Sequence, residues 1–172
     1  NSWIFLASYR RFQLKFIATL KLYKLKAKIQ SNINLYINNK SLSNHKNIPF
    51  RMTMFDLNEL KKINDNQGHL VGDQAIIEFY NIINTIYHHD SDKCYRVGGD
   101  EFMVIQQDIS DGLHLINLKH LQDEISKCNS HLDYDFSTAI GSAIYNFDQS
   151  FGEFKHEVDQ KMYVNKRSVK SM

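Results

Sequence analysis

The sequence predicts an α+β domain in which helices flank a mostly antiparallel sheet. Two observations support this prediction. Apolar and β-prone residues lie on both sides of the pair Gly98-Gly99, which is typical of a tight β-hairpin. Elsewhere, segments with the period of a strand alternate with longer segments that have the period of a helix. At 172 residues, of which 42% are hydrophobic, the chain is long enough for one such domain with its own core.

The predicted elements follow in order along the chain. A strand from Phe50 to Phe55 ends at Asp56, and Asn58 is placed to cap a short helix after it. Glycines then mark a turn, and an apolar helix, the hairpin, a second helix, a strand and a final helix follow. The short helix is predicted at 59–63, the turn at Gly68 and Gly72, and the apolar helix at 73–88. The inner face of the apolar helix is predicted to hold Ile76, Ile77, Tyr80, Ile83 and Tyr87. The hairpin strands are predicted at 93–97 and 102–106, the second helix at 113–128, the next strand at 135–144 and the final helix at 154–170.

The chain has two parts of opposite charge. Residues 1–55 hold ten of the 21 basic residues and no acidic residue, which leaves eleven basic and nineteen acidic residues for the rest. The formal charges are therefore +10 and −8, although the net charge is only +2. Such asymmetry indicates two segments with different tasks.

Residues 3–29 are predicted to form a basic amphipathic helix, because apolar residues recur every three or four positions with Lys and Arg between them. Three uses of this helix are open. It packs on the domain or pairs with a second copy as a coiled coil, it lies on an anionic membrane surface, or, as the least favoured use, it binds nucleic acid. The longest apolar run near this end, residues 3–7, is far shorter than the ~20 residues of a membrane span.

The start of the chain and its cysteines complete the general picture. The chain begins with Asn rather than Met, so we expect a fragment or processed product with a sensor domain upstream. We expect it to be cytoplasmic, or to be the cytoplasmic part of a membrane-anchored receptor. Cys94 and Cys128 are too few for a disulfide framework and lack metal-ligand spacing, which indicates reduced, partly buried thiols.

The predicted turn carries two acidic residues, Asp100 and Glu101, directly after Gly98-Gly99. Glycines allow φ > 0 in a turn, and without a Cβ atom they let a bulky group lie against the backbone. Successive side chains of a strand point to opposite faces, so one acid can face a metal while the other faces away. The turn is therefore predicted to bind a ligand.

The residues from Gly98 to Phe102, G-G-D-E-F, resemble the signature of the GGDEF family, the diguanylate cyclases. Residues 56–73 are similar to the family's D-L/I-D/N-x-F/L-K-x-I/L-N-D-x-x-G-H-x-x-G-D stretch, at the expected distance upstream. The resemblance covers about residues 49–170, so we predict an N-terminal helix and linker at 1–48 and a GGDEF domain at 49–172. It implies a palm-like nucleotidyl-cyclase fold that condenses two GTP into cyclic di-GMP as a homodimer.

The resemblance also implies the reacting groups. Joining two nucleotides requires divalent metal ions and accurate positioning, because charge grows on the phosphate oxygens. Mg²⁺ or Mn²⁺ would be held by Asp56, Asp100 and the backbone carbonyl of Leu57. Asp100 would also activate the 3′-hydroxyl, with Glu101 as a supporting acid and Lys61 as a catalytic cation that holds the triphosphate.

The substrate contacts are implied in the same way. Asn64 and Asp73 would contact the guanine edge, and a carboxylate suits the N1–H and N2–H₂ donors that adenine lacks. The other positions that match substrate contacts are His69 near the ribose, Gly98 and Gly99 in the turn, and Lys166 and Lys170 at the triphosphate. Taken singly, each of these residues also has an ordinary structural interpretation as a cap, a turn residue or a solvated charge.

Among the departures of the chain from the family pattern, two concern phosphate and product binding. Asn165, Val169 and Lys170 stand where Ala, Gly and Arg are usual, and a lysine at the last position lacks the fork of a guanidinium. The inhibitory product site of many relatives uses R-x-x-D, and here His89 takes the place of the Arg. The alternatives to the cyclase are a catalytically silent GTP-binding module that regulates a partner, and a cyclase that makes a mixed guanine-adenine product.

Overall fold

The computed structural model describes residues 49–107 and 109–170, and this part of the chain forms one antiparallel sheet flanked by helices. The elements are β1 (Phe50–Asn58), α1 (Leu60–Gln67), α2 (His69–Ile86), β2 (Lys93–Arg96), β3 (Glu101–Gln107), α3 (Asp111–Asn129), β4 (Ser137–Tyr145) and α4 (Phe151–Lys170). The strand order is β2-β3-β1-β4, with antiparallel neighbours throughout. The predicted α+β class and the hairpin β2–β3 are confirmed.

β1 is the central strand, and all nine of its residues are buried. Asp56 lies opposite Glu101 of β3 on one side and opposite Ala139 of β4 on the other. The strand continues past its predicted end at Phe55, because β4 still pairs with Asn58. Asp56 therefore lies inside a strand that is paired on both sides, which holds its backbone more firmly than a loop would.

The main core lies between one face of the sheet and helices α2 and α3. Phe79 of α2 is at its centre, with ring centroids 5.9 Å from Phe55, 5.0 Å from Phe102 and 6.4 Å from Phe136. All three ring pairs are T-shaped, the arrangement that the quadrupoles of aromatic rings favour. This cluster joins β1, β3 and α2, which carry five of the predicted site residues: Asp56, Leu57, Glu101, His69 and Asp73.

α2 differs from its prediction in both its start and its inner face. It begins at His69, and Gly72 lies within the helix, whereas Gly68 with φ 89° does form the predicted turn. The inner face contains Phe79 and not Ile77 and Tyr80, which are 50% and 41% exposed. With 3.6 residues per turn, Tyr80 lies about 90° and Ile77 about 150° around the helix from the centre of the buried stripe, so the predicted inner face was partly wrong.

Asn58 does not cap α1 as predicted. It belongs to β1, and its side-chain nitrogen donates to Ser137 Oγ of β4 at 3.0 Å. The residue before α1 is Glu59, which has a left-handed φ of 65° and no capping hydrogen bond from its side chain. The chain therefore turns sharply from the strand into the helix at Glu59.

Helix α4 covers the opposite face of the sheet, where Phe154 and Val158 are fully buried. Gly141 of β4 allows a close approach of this helix. A Cβ atom there would lie 2.2 Å from the Val158 carbonyl oxygen and 2.5 Å from the Met162 amide nitrogen. Backbone atoms of α4 thus rest directly on the strand.

The predicted helix at residues 3–29 and the linker after it lie outside the described residues, so the domain boundary at Pro49 stays a prediction. In residues 49–107 and 109–170, no helix combines the length and the apolar character that a membrane span requires.

Cys94 and Cys128 are free and half-buried, as predicted. Burial raises the pKa of the Cys94 thiol to about 11, which keeps it protonated and unreactive near neutral pH.

Candidate active site

A cleft of about 380 Å³ opens where β1 ends and α1 begins. Charged and polar side chains of both signs line it, which suits a charged ligand better than an apolar one. Four of the predicted site residues line it, and each comes from a different part of the fold: Leu57 from β1, Lys61 from α1, Asp100 from the turn before β3, and Lys166 from α4. Its lining residues are Leu57, Asn58, Glu59, Leu60, Lys61, Lys62, Asp65, Asn66, Asp100 and Lys166.

The two predicted metal acids are carried by neighbouring backbone segments. The Leu57 N–H donates to the Asp100 carbonyl oxygen at 2.9 Å, and Asp56 is paired with Glu101. The Asp56 carbonyl oxygen in turn accepts from Thr138 Oγ1 at 3.1 Å. The hydrogen bonds of two strands therefore fix the relative positions of Asp56 and Asp100.

Asp56 forms an ion pair with Lys166 of α4, at 2.6 Å between Oδ1 and Nζ. The Asp56 side chain is only 11% exposed, and that of Lys166 is 32% exposed. A carboxylate buried to this extent needs a compensating cation, because its desolvation is costly. The ammonium of Lys166 thus compensates the charge of the buried Asp56 carboxylate.

The donor set fits a magnesium ion that is shared with phosphates. Within residues 49–107 and 109–170, no three side chains of Asp, Glu, His or Cys converge as a metal cage. Mg²⁺ needs no such cage, since one or two carboxylates, phosphate oxygens and waters complete its octahedron. Asp56, Asp100 and the Leu57 carbonyl would supply the oxygen ligands of the protein.

The Gly-Gly turn joins β2 to β3, and its geometry corrects one prediction. Neither Gly98 nor Gly99 has a positive φ, so the turn does not use the left-handed freedom of glycine. Gly98 is needed for space, because a Cβ atom there would lie 2.5 Å from Glu101 Oε2. The turn is closed by Arg96, whose Nη2 donates to the Gly99 carbonyl oxygen at 2.8 Å.

The remaining predicted residues lie beside the cleft or outside the described part. Glu101 folds back against Gly98, and neither residue lines the cleft. His69 and Asp73 are exposed and lie one turn apart on α2, at the corner where α1 meets α2. Lys170 ends α4, but its side chain lies outside the described part.

Asn64 of α1 is held at the same corner by a close contact with α2. A Cβ atom on Gly72 would lie 2.1 Å from Asn64 Oδ1, so only glycine leaves room for this side chain. The Asn64 backbone carbonyl also accepts from the Gly68 N–H at 2.9 Å. The predicted guanine-contacting residues Asn64 and Asp73 are thereby brought to one corner of the domain.

Sequence reasoning missed the part played by Asn165. Its Oδ1 accepts from the Ile140 N–H of β4 at 2.9 Å, next to the ion pair of Lys166. The signal in the sequence was the departure from Ala in the closing stretch of the family pattern. No helix or strand pattern alone would have indicated what the amide binds.

Comparison with known sequences agrees with this geometry. The sequence model of the family described as "Diguanylate cyclase, GGDEF domain" matches residues 25–172, and so begins upstream of Pro49. Diguanylate cyclase DosC of Shigella sonnei is 26% identical over 133 residues, which are 73% of this chain and 28% of DosC. Probable diguanylate cyclase DgcI of Escherichia coli is 32% identical over 117 residues, 68% of this chain and 25% of DgcI. The chain thus spans about a quarter of the length of these relatives.

The fold is also found among solved structures. The GGDEF domain of DgcB from Caulobacter crescentus, crystallised in complex with c-di-GMP, superposes with a TM-score of 0.63 at 22% identity. The superposition covers 70% of this chain and 74% of the DgcB chain. The family match over most of the sequence, the α+β fold and the G-G-D-E-F turn beside the cleft lead to one conclusion. The chain belongs to the GGDEF domain family of diguanylate cyclases.

Proposed function

We propose that this domain condenses two GTP molecules into cyclic di-GMP and releases two pyrophosphates. The observation that supports this most strongly is the pairing of β1 with the Gly-Gly turn, in which Leu57 N–H meets the Asp100 carbonyl at 2.9 Å. Asp56 and Asp100 are thereby held on neighbouring backbone segments, next to a cleft with Lys61 and Lys166. The named activity of DosC and the c-di-GMP bound to DgcB support the same reaction.

The chemistry assigned to the acids follows from where charge develops. Attack of a 3′-hydroxyl on an α-phosphate builds negative charge on the phosphate oxygens, and a bound Mg²⁺ or Mn²⁺ supplies the Lewis acid that neutralises it. Asp56, Asp100 and the Leu57 carbonyl would hold that ion. Asp100 also accepts the proton of the attacking hydroxyl, and Glu101 supports the turn that carries Asp100.

Lys166 changes partner in this scheme. In the free domain its ammonium neutralises Asp56 at 2.6 Å. With nucleotide bound, the Lys166 ammonium would leave Asp56 and would bind the triphosphate together with Lys61 and Lys170. The free N–H groups at the start of α1 add partial positive charge at the same end of the cleft.

Guanine is selected at the corner between α1 and α2. Asp73 accepts from the N1–H and N2–H₂ groups of guanine, Asn64 bonds the same edge, and His69 contacts the ribose. ATP offers neither of those donors, so the site favours GTP and disfavours a mixed product. Buried or aligned polar groups reject a ligand that leaves them unpaired.

Replacing Gly72 by alanine is expected to weaken GTP binding about tenfold, because the new methyl group displaces Asn64 from the guanine edge. The free energy of unfolding should change by less than about 1 kcal/mol, since a side chain can move and alanine favours a helix. Titration with a non-reactive GTP analogue and urea unfolding measure the two effects. Asn64→Ala is the matched variant, and it should bind the GTP analogue as weakly as Gly72→Ala does. The double variant should bind the analogue no more weakly than either single variant. An additional loss in the double variant would contradict this explanation.

One domain cannot complete the reaction alone. A single site does not place both 3′-hydroxyls against both α-phosphates, so two copies, each with one GTP, have to meet face to face. The basic segment at residues 3–29 and a sensor domain upstream would set how often such encounters occur. We expect the reaction to take place in the cytoplasm, where GTP is available.

The function is tested by incubating the chain with GTP and Mg²⁺ and quantifying cyclic di-GMP by mass spectrometry. We expect product, and a rate per protomer that rises with protein concentration because two copies must meet. ATP alone should yield no cyclic dinucleotide. GTP binding without product at any protein concentration would reject the cyclase and support the silent module that regulates a partner.

Product inhibition is expected to be weak or absent in this domain. Asp92, the acid of the R-x-x-D position, is buried, and its carboxylate accepts from the His89 N–H at 3.3 Å and from Gln106 Nε2 at 3.2 Å. With His89 in place of Arg, the permanent cation of that site is also missing. Initial rates should therefore be unchanged by micromolar cyclic di-GMP. Slowing of the isolated domain by micromolar product would show this prediction to be wrong.

A further inference from the structure

We propose that Asn165 is a positioning residue that holds Lys166 over the cleft; this inference rests on the function proposed above. Asn165 Oδ1 accepts from the Ile140 N–H at 2.9 Å, and the next residue, Lys166, reaches Asp56 at 2.6 Å. Of the described strands, β4 is the last in the sheet order, so Ile140 presents this N–H on the side away from β1. One side-chain hydrogen bond thus joins α4 to the edge of the sheet, one residue before the cation.

The position of this bond along α4 explains its importance. Phe154 and Val158 anchor the first half of the helix in the core, and both are fully buried. Beyond Met162, the residues Tyr163 and Val164 are 57% and 65% exposed and add little burial. A helical segment with few buried apolar side chains, here residues 163–168, frays readily. The contacts of Asn165 and Lys166 with the sheet therefore hold the last turns of α4 in place.

In our proposal nucleotide binding breaks the ion pair of Lys166 with Asp56 but leaves the hydrogen bond of Asn165 with Ile140 intact. The ammonium of Lys166 leaves Asp56 for a phosphate, so the ion pair no longer holds the helix. The bond from Ile140 to Asn165 involves neither the metal acids nor the nucleotide and persists. It keeps the Lys166 backbone fixed while its long side chain moves, which lowers the conformational entropy lost on binding. Alanine, usual here in the family pattern, has no oxygen that could make this bond.

The first test needs no nucleotide. The full chain is labelled with acetic anhydride, and the acetylation rate of Lys166 is followed by mass spectrometry for wild type and for Asn165→Ala. We expect Lys166 to react about fivefold faster in the variant, because loss of the bond frees the helix end. The exposed Lys161 serves as internal reference, and Gln160→Ala is the matched control because it removes an amide from an exposed position of the same helix. An unchanged Lys166 rate in Asn165→Ala would overturn the proposal.

The second test separates positioning from a general loss of stability. Affinity for a non-reactive GTP analogue with Mg²⁺ is measured for wild type, Asn165→Ala, Lys166→Met and the double variant. We expect Asn165→Ala to bind about fivefold more weakly than wild type, and to cause no further loss in the Lys166→Met background. An equal loss in both backgrounds would overturn the proposal. If wild type bound no guanine nucleotide, the proposed function would fail, and the labelling result alone would decide the role of Asn165.

Discussion

Replacing Asp100 by asparagine is expected to slow the formation of cyclic di-GMP about a thousandfold, and Asp56→Asn should do the same. In the proposed site each change removes one negative ligand of the metal ion. The charge stabilisation by such an ion contributes several kcal/mol, and ~4 kcal/mol corresponds to about a thousandfold in rate. Asparagine has nearly the same shape, so the hydrogen bond between Leu57 and Asp100 is kept. Rates are measured at saturating GTP with rising Mg²⁺.

The control for these variants is Asp123→Asn, which neutralises an exposed acid on α3. It should leave the rate unchanged, and thermal unfolding should show that all three variants fold. Asp56→Asn also removes the ion-pair partner of Lys166, so its unfolding is measured separately. A variant at Asp56 or Asp100 that kept more than a tenth of the wild-type rate would remove that residue from the catalytic set.

Replacing Gly141 by alanine is expected to destabilise the domain by about 3 kcal/mol, the upper part of the usual range for overpacking. The new Cβ atom would lie 2.2 Å from the Val158 carbonyl oxygen and 2.5 Å from the Met162 amide nitrogen. These are backbone atoms of a helix that is anchored by the fully buried Phe154, so α4 has to move as a unit. Urea unfolding measures the change.

Gly112→Ala is the matched control for this variant. Gly112 lies in α3, and nothing would lie within 4 Å of a Cβ atom there. Alanine should therefore stabilise the domain by about 0.5 kcal/mol through its higher helix propensity. If Gly141→Ala were as stable as the control, the close packing of α4 on β4 would be disproved.

The order of the elements was predictable because each has a clear period or turn signal. The hairpin, strand β1 and the final helix α4 were all predicted near their observed positions. The predicted end of β1 was too early, because Asp and Asn, which occupy positions 56 and 58, are residue types that favour loops and caps. Asp56 is paired with Lys166, and the side-chain nitrogen of Asn58 donates to Ser137. Both partners are distant in sequence and cannot be identified from a local pattern.

The candidate site could be predicted in part. The match to the family pattern indicated Asp56, Lys61, Asp100 and Lys166, and the structure brings these residues to one cleft or to its edge. Glu101 was indicated by the same pattern, but its carboxylate lies against Gly98 instead of in the cleft. The direction of a side chain in a turn depends on local packing, which the spacing of residues does not specify.

We propose that Asp56 and Asp100 share one metal ion beneath a guanosine triphosphate. A crystal structure of the chain with a non-reactive GTP analogue and Mn²⁺, in which anomalous scattering locates the ion, tests this arrangement. We expect an anomalous peak at about 2.1 Å from one carboxylate oxygen each of Asp56 and Asp100, with Lys166 moved from Asp56 to the phosphates. A peak that touches neither carboxylate, or a triphosphate bound away from this cleft, would contradict the account.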